Sequence, residues 1–510
     1  MRYLAFALTL AASLHAPLPA SRPALNDKPV RVEGGLVSGA PGKDASIIVF
    51  KGIPFAAPPV GDLRWREPKP VVPWQGTRKA TEFGASCMQN IVDVLPPWTH
   101  EFMTHTAVSE DCLFLNVWTP AKAAGEKRPV YVYIYGGANT SGSGAVPIYD
   151  GEGLAKKGIV AVTMNYRVGI FGFFTHPELS AESEHHVSGN YALLDLIAGL
   201  KWVHNNIAAF GGDPGRVVIG GQSAGSWNVH SLIASPLAKG LFHAAIAQSG
   251  SSVSQSSRTL AEQEQAGVKF AESKGAHSLA DLRKMSYQDL ATRSAGATGV
   301  AQVRFPAATV VDGYVQPAFP AFVSDVPTLT GSNKDESGAS PHPSITEEAY
   351  ARQAQRYGPM AADYVRLYPL AASNEGARDA ARMSTYVWAV NRAKVAKTKV
   401  FTYYWDHTLP GPESDKYGAF HSSEIGYVMN TLDTADRPFT AEDRKIAEMM
   451  SNYWANFIRT GDPNGPGLPK WPSVQEQPGM TMELGDNTAV IPAAADPAKV
   501  AFFQKAFSQF

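Results

Sequence analysis

A serine sits between two glycines in Gly221-Gln222-Ser223-Ala224-Gly225, directly after the apolar run Val217–Gly220 and before a stretch that can be helical. That is Gly-x-Ser-x-Gly in a strand–turn–helix setting, where a sharp turn lifts the hydroxyl clear of the sheet edge. The tight turn leaves no room for side chains two residues either side, and the following helix directs free N–H groups at the site. A serine hydroxyl is a weak nucleophile, so Ser223 needs a base, and the base needs an orienting carboxylate. On this kind of turn the chain order is serine, acid, histidine. Downstream, a polar loop carries Asp335 and Glu336, and a small-residue loop carries His421. Spacing alone does not choose these from the other acids and histidines. The chemistry also needs backbone N–H groups aimed at a developing negative charge. Gly136-Gly137-Ala138-Asn139 follows a strand and is the natural source, with the N–H of Ala224 as a further donor.

The elements that must hold these residues are short β-rich runs alternating with helical ones. Val130–Tyr135, Ile159–Met164 and Arg216–Gly220 read as strands, and the apolar spacing from Asn190 to Phe210 predicts an amphipathic helix. Nearly continuous apolar strands separated by helices imply an α/β fold, with a mostly parallel sheet covered on both faces. Two further segments, about 260–304 and 347–399, read as helical insertions over the sheet, the second interrupted by Pro359 and Pro369. No Gly/Ser linker divides the chain, so residues 21–510 are expected to form a single catalytic domain.

The 510 residues are 44% hydrophobic and 18% charged, with a formal net charge of -1. No basic run exceeds a pair such as Lys156-Lys157, which argues against a nucleic-acid partner. Arg2, the apolar run Tyr3–Leu14 and Ala20 form the pattern of a cleavable signal peptide over residues 1–20. The run is too short to span a bilayer, and no later segment is apolar enough, so a secreted or periplasmic protein is expected. In an exported chain the isolated pair Cys87 and Cys112 favours a disulfide over a metal site. The thirteen histidines show no HExxH or paired Cys/His spacing, so neither a catalytic metal nor a cofactor is expected.

Over nearly all of the mature chain the sequence resembles the type-B carboxylesterase/cholinesterase family of α/β-hydrolases. The resemblance rests on Phe50-Lys51-Gly52-Ile53-Pro54-Phe55-Ala56, Leu63-Arg64-Trp65, Ser109-Glu110-Asp111-Cys112-Leu113-Phe114-Leu115-Asn116-Val117, Asn165-Tyr166-Arg167, Phe210-Gly211-Gly212-Asp213-Pro214 and Gln248-Ser249-Gly250-Ser251, in order. It implies an α/β-hydrolase fold, a triad of Ser223, Glu336 and His421, a Cys87–Cys112 disulfide, and Ser249 as a supporting serine behind the triad. Gly137, Ala138 and Ala224 are then the oxyanion donors, and the expected activity is hydrolysis of small-molecule carboxylic esters through an acyl-enzyme. Four positions depart from the family pattern. Ala138 replaces a third glycine, Asn139 an aromatic, Gln222 a glutamate that favours cationic substrates in cholinesterases, and Ser226 a glycine. Asn139 is expected to line a roomier, more polar substrate pocket, and Gln222 argues against choline esters. Trp98, in the Cys87–Cys112 loop, is either a cation-stacking residue or simple packing. Two readings from other classes stand beside the esterase. One is a binding or adhesion module on the same fold; such relatives lack triad residues. The other is an acyltransferase, which would share the acyl-enzyme.

Overall fold

The computed structural model describes residues 28–251, 258–291, 305–317, 321–336 and 345–508. The expected signal segment lies outside these residues, as do residues 292–304 of the first expected insertion. Eleven strands make the central sheet: β1 (Ala40–Pro41), β2 (Ile48–Pro54), β3 (Phe114–Thr119), β4 (Arg128–Ile134), β5 (Val160–Met164), β6 (Gly212–Gln222), β7 (Ala244–Gln248), β8 (Thr328–Asn333), β9 (Val400–Trp405), β10 (Met480–Leu484) and β11 (Ala489–Pro492). Their order is β11-β10-β9-β8-β7-β6-β4-β5-β3-β2-β1. From β5 through β10 every neighbouring pair is parallel, and the pairs outside that block are antiparallel.

The three strands read from the sequence lie in the middle of this sheet. Val130–Ile134, Val160–Met164 and Val217–Gln222 are buried at every position, because helices cover both faces. The principal helices are α1 (Tyr191–Asn206), α2 (Ala224–Ala234), α3 (Leu260–Ser273), α4 (Ser373–Val395) and α5 (Ala441–Thr460). Helix α1 buries Leu193, Leu194, Ile197, Leu200 and Val203 on its apolar stripe. A 3-10 turn, Ile207–Phe210, then carries the chain to Gly211 at φ 81°, the left-handed cap that turns it into β6. Burying each such aliphatic side chain contributes about 1.5–3 kcal/mol. The second insertion is helical around its prolines: Glu347–Gln355, Ala361–Leu367 and α4.

Register places the site. Gly221 pairs with Ile134 of β4, Gln222 with Gln248 of β7, Gln248 with Gly331 of β8, and Asn333 with Trp405 of β9. The carboxyl ends of β4, β6, β7, β8 and β9 therefore share one edge, where crevices of α/β sheets receive ligands. The loops bearing residues 136–139, 223, 249, 336 and 421 all leave from that edge.

Candidate active site

Ser223 stands between β6 and α2 with φ 59° and ψ -123°, a conformation that L-residues hold only where the surroundings force it. Its N–H donates to the Gln248 carbonyl at 2.9 Å, which pins the turn to β7. The glycines are required by contact. A Cβ on Gly225 would lie 2.1 Å from the Ile134 carbonyl oxygen, and one on Gly221 would lie 2.6 Å from the Gly225 backbone.

His421 Nδ1 meets Glu336 Oε2 in a short hydrogen bond. Asp335, the other acid of that loop, turns away to Arg378 and to the N–H of Ala419. Glu336 Oε1 also accepts from the Asn333 N–H at 2.8 Å. Burial pushes the Glu336 carboxyl up, but the His421 charge, its hydrogen bond and that of the Asn333 N–H outweigh this and hold it below the ordinary glutamate value. For His421 burial favours the neutral ring, and the Glu336 charge overrides it, leaving the imidazole more basic than usual. Because Nδ1 serves Glu336, the lone pair of the neutral ring sits on Nε2. There Gln222 Nε2 approaches to 3.2 Å and donates. Among the described residues the Ser223 hydroxyl has no hydrogen-bond partner, so in this state Gln222 holds the imidazole nitrogen that a nucleophile would use.

The loop of residues 136–139 lies alongside. Gly137, Ala138 and Asn139 have φ of 108°, 53° and 58°, a run of left-handed residues just after β4. Among the described residues no hydrogen bond takes up the N–H of Gly137, Ala138 or Ala224. Ser223, His421, Glu336, Gln222, Gly137 and Ala138 all border one cavity of about 610 Å³. Its remaining lining includes the aromatic residues Trp98, Phe102, Tyr149 and Trp227 and the uncharged polar residues Gln89, Asn90, Thr104, Ser384 and Thr385. Among the described lining residues Glu336 is the only carboxylic acid and His421 the only imidazole, and there is no lysine or arginine.

The sequence profile of the carboxylesterase family matches residues 26–378 and 370–503. The chain belongs to the carboxylesterase family. It is 35% identical to the fumonisin B1 esterase of Sphingopyxis macrogoltabida, over 93% of this chain and 92% of that one. It is 34% identical to the cocaine esterase of Oryctolagus cuniculus, over 88% and 90% of the two chains. With the liver carboxylesterase of Sus scrofa the identity is 33%, over 92% and 90%. Family membership makes the protein a carboxylic ester hydrolase with the α/β-hydrolase fold.

The four departures from the carboxylesterase pattern have distinct places. Ala138 keeps the left-handed turn at a cost of about 1–2 kcal/mol relative to glycine, and borders the cavity. Asn139 does not line the cavity, contrary to the expectation from sequence. It is buried, its side-chain oxygen accepting from Asn228 of α2 at 3.1 Å and its carbonyl from the Gly169 N–H at 2.6 Å. An amide can be buried there because those partners exist, and it ties the 136–139 loop to α2, the helix that follows Ser223. Ser226 donates to the Gly250 carbonyl at 2.9 Å, and Gln222 engages His421. Ser249, in the left-handed region at φ 53°, sits beside Glu336. Trp98 is a wall residue: its indole N–H donates to the His421 carbonyl at 3.0 Å, and its ring meets the imidazole edge-on at 6.3 Å.

Sequence reasoning gave no role to Glu424. This fully buried carboxylate accepts from Gln248 Nε2 at 2.9 Å and Asn333 Nδ2 at 2.6 Å, so Asn333 bridges it to Glu336. The available signal was a glutamate three residues after His421 in a loop with no other acid. Cys87 and Cys112 form a disulfide. Among the described residues no helix is long and apolar enough to cross a membrane.

Proposed function

We propose that this protein is an exported esterase that hydrolyses large, neutral polar esters through an acyl-enzyme on Ser223. The observation that carries this reading is the set Ser223, His421 and Glu336 bordering one cavity whose other described lining side chains are uncharged. Ser223 Oγ attacks the ester carbonyl while His421 Nε2, released by Gln222, takes its proton. Glu336 holds the Nδ1–H tautomer and stabilises the imidazolium. The N–H groups of Gly137, Ala138 and Ala224 receive the oxyanion; losing one such donor typically costs about 10²–10³ in rate. The imidazolium then protonates the leaving alcohol. Water, deprotonated by His421, attacks the acyl-enzyme and frees Ser223.

Size and lining support the substrate class. A cavity of about 610 Å³ exceeds what an acetyl ester fills. Trp227 adds an indole to the cavity lining. Among the described lining residues Glu336 is the sole acid, which disfavours cationic esters. The named fumonisin B1 and cocaine esterases among its relatives fit bulky substrates. Export is supported by the N-terminal pattern and by the disulfide. On expression with its leader, the mature chain should begin near Ser21, as read by intact-mass measurement of the exported protein.

The decisive experiment compares p-nitrophenyl acetate and butyrate hydrolysis by wild type and Ser223→Ala, with fluorophosphonate labelling followed by peptide mass spectrometry. Wild type should turn over both esters and carry the label on Ser223. The variant should lose at least about a thousandfold in kcat. A fully active variant, or a label elsewhere, would overturn the mechanism.

A further inference from the structure

Among the described residues nine large aliphatic side chains stand well exposed, and four of them, Ile91, Val92, Val94 and Leu95, fall within five positions at 43–53% exposure. Exposed apolar side chains gathered in one place mark a binding surface. Val92 and Leu95 also line the cavity, so the patch continues the cavity wall out to solvent. The run is fastened at both ends. Before it, Gln89 exchanges two hydrogen bonds with Gly142, of 2.7 and 2.8 Å, and the Tyr287 hydroxyl donates to Asn90 Oδ1 at 3.0 Å. After it, Leu95 and Trp98 exchange backbone hydrogen bonds of 3.0 and 2.8 Å, and the Trp98 indole N–H donates to the His421 carbonyl. Asp93, the one charged residue of the run, faces His100 Nδ1 at 3.1 Å. A rim already fixed in place gives up little freedom when a ligand lies on it.

The chemistry of the run decides what that ligand is. From Cys87 to Cys112 the chain has no lysine or arginine, so this face offers no attraction to an anionic lipid surface. Four half-exposed aliphatic side chains fall well short of the roughly 800 Å² per partner that a stable protein interface buries. A hydrocarbon chain leaving the cavity, by contrast, would cross Val92 and Leu95 and bury methylenes against them. The side of the ester follows from His421, which in the proposed mechanism hands its proton to the leaving alcohol. Trp98 fastens the end of the run to residue 421, its ring edge-on to the imidazole at 6.3 Å, so this wall flanks the alcohol. We propose that Val92 and Leu95, extended by Ile91 and Val94, form a subsite for an unbranched alkyl chain on the alcohol portion of the ester, a reading that rests on the proposed hydrolysis at Ser223. The substrate is then an amphiphile, its polar ester in the cavity and its hydrocarbon on the rim.

The test follows hydrolysis of ethyl, butyl and octyl butyrate, below their solubility limits, by titrating the butyric acid released. All three pass through one butyryl-enzyme, so deacylation is common to them and their differences report the alcohol. A fully buried methylene is worth up to about fourfold in binding, and a rim covers one side of the chain. Octyl should therefore exceed ethyl in kcat/KM by at least about tenfold, mainly through KM. The Val92→Ser/Leu95→Ser double variant should bring that preference to within about threefold. Val92→Ile/Leu95→Met keeps the rim apolar and should retain it, as should Val72→Ser, an exposed valine outside the cavity lining. For p-nitrophenyl octanoate against butyrate, where the chain sits on the acyl side, the double variant should keep the wild-type ratio. Equal kcat/KM for the three alkyl butyrates in wild type, or an undiminished octyl preference in the double variant, would overturn the subsite. A loss confined to the p-nitrophenyl acyl series would overturn its assignment to the alcohol. A rate that jumps only above the solubility limit would mean that the patch docks on lipid aggregates instead. Ser223→Ala should abolish hydrolysis of every ester; if it does so while the rim variants keep the octyl preference, the mechanism stands and the subsite falls.

Discussion

Glu424 shows how one buried residue sets conditions for its neighbours. Burial pushes its carboxyl up to about 7, partly opposed by the Asn333 hydrogen bond and reinforced by the nearby Glu336 charge. In the unfolded chain the same group titrates near 4.5. The folded state thus holds this proton more tightly than the unfolded state does. Its stabilising effect is complete below pH 4.5 and is lost as the pH rises to about 7. Some 2.5 pH units at about 1.36 kcal/mol each is ~3 kcal/mol. Glu424→Gln removes the titration and keeps the shape. Gln248 Oε1 is buried without a partner among the described residues, so rotating that amide supplies an acceptor for the new NH₂. Urea unfolding at pH 5 and pH 8 should show the variant gaining up to ~3 kcal/mol on wild type between the two. An equal difference at both pH values would refute this account.

At the scale of elements, the family motifs are devices that lock segments together. Arg64 of Leu63-Arg64-Trp65 pairs with Glu110 of the Ser109–Val117 motif, Arg64 Nε to Glu110 Oε2 at 2.7 Å. Arg167, just after β5, grips Asp195 of α1 with two side-chain hydrogen bonds of 2.8 and 2.7 Å, and its backbone N–H adds a third at 3.0 Å. Both members are buried, so removing one strands the other's charge. Asp195→Ala should cost about 3–5 kcal/mol, read as a large drop in the urea midpoint. A midpoint within about 1 kcal/mol of wild type would mean that water replaces the carboxylate. These motifs were legible in the sequence as marks, but their partners were not. Arg167 and Asp195 are 28 residues apart, and no local spacing links them. The same limit applies at the site. The Gly-x-Ser-x-Gly turn was readable because strand, turn and helix are adjacent in sequence. The choice of Glu336 over Asp335, and the turning of Asn139 away from the cavity, depend on which loops meet at the sheet edge.

Across the whole molecule, the central strands were visible because burial on both faces leaves continuous apolar runs. The outermost strands were not, since β1 has two residues and β11 is buried at none of its four positions. The Cys87–Cys112 bond is where whole-chain stability and the cavity meet. It closes 25 residues of chain, worth about 3–4 kcal/mol in the chain-entropy model. Within that loop lie Gln89, Trp98, Phe102 and Thr104 of the cavity wall, whereas Ser223, Glu336 and His421 lie outside it. Opening the bond should therefore separate two effects. The Cys87→Ser/Cys112→Ser double variant should lose about 3–4 kcal/mol in urea unfolding. Its KM for p-nitrophenyl butyrate should rise several-fold while kcat changes less, because the wall loosens and the proposed nucleophile Ser223, base His421 and donors Gly137, Ala138 and Ala224 stay on the sheet edge. The Trp98 indole hydrogen bond and the edge contact of Phe102 with Phe420 join that loop to the His421 loop. A variant with wild-type KM and a collapsed kcat would mean that the loop positions the imidazole itself, through these contacts.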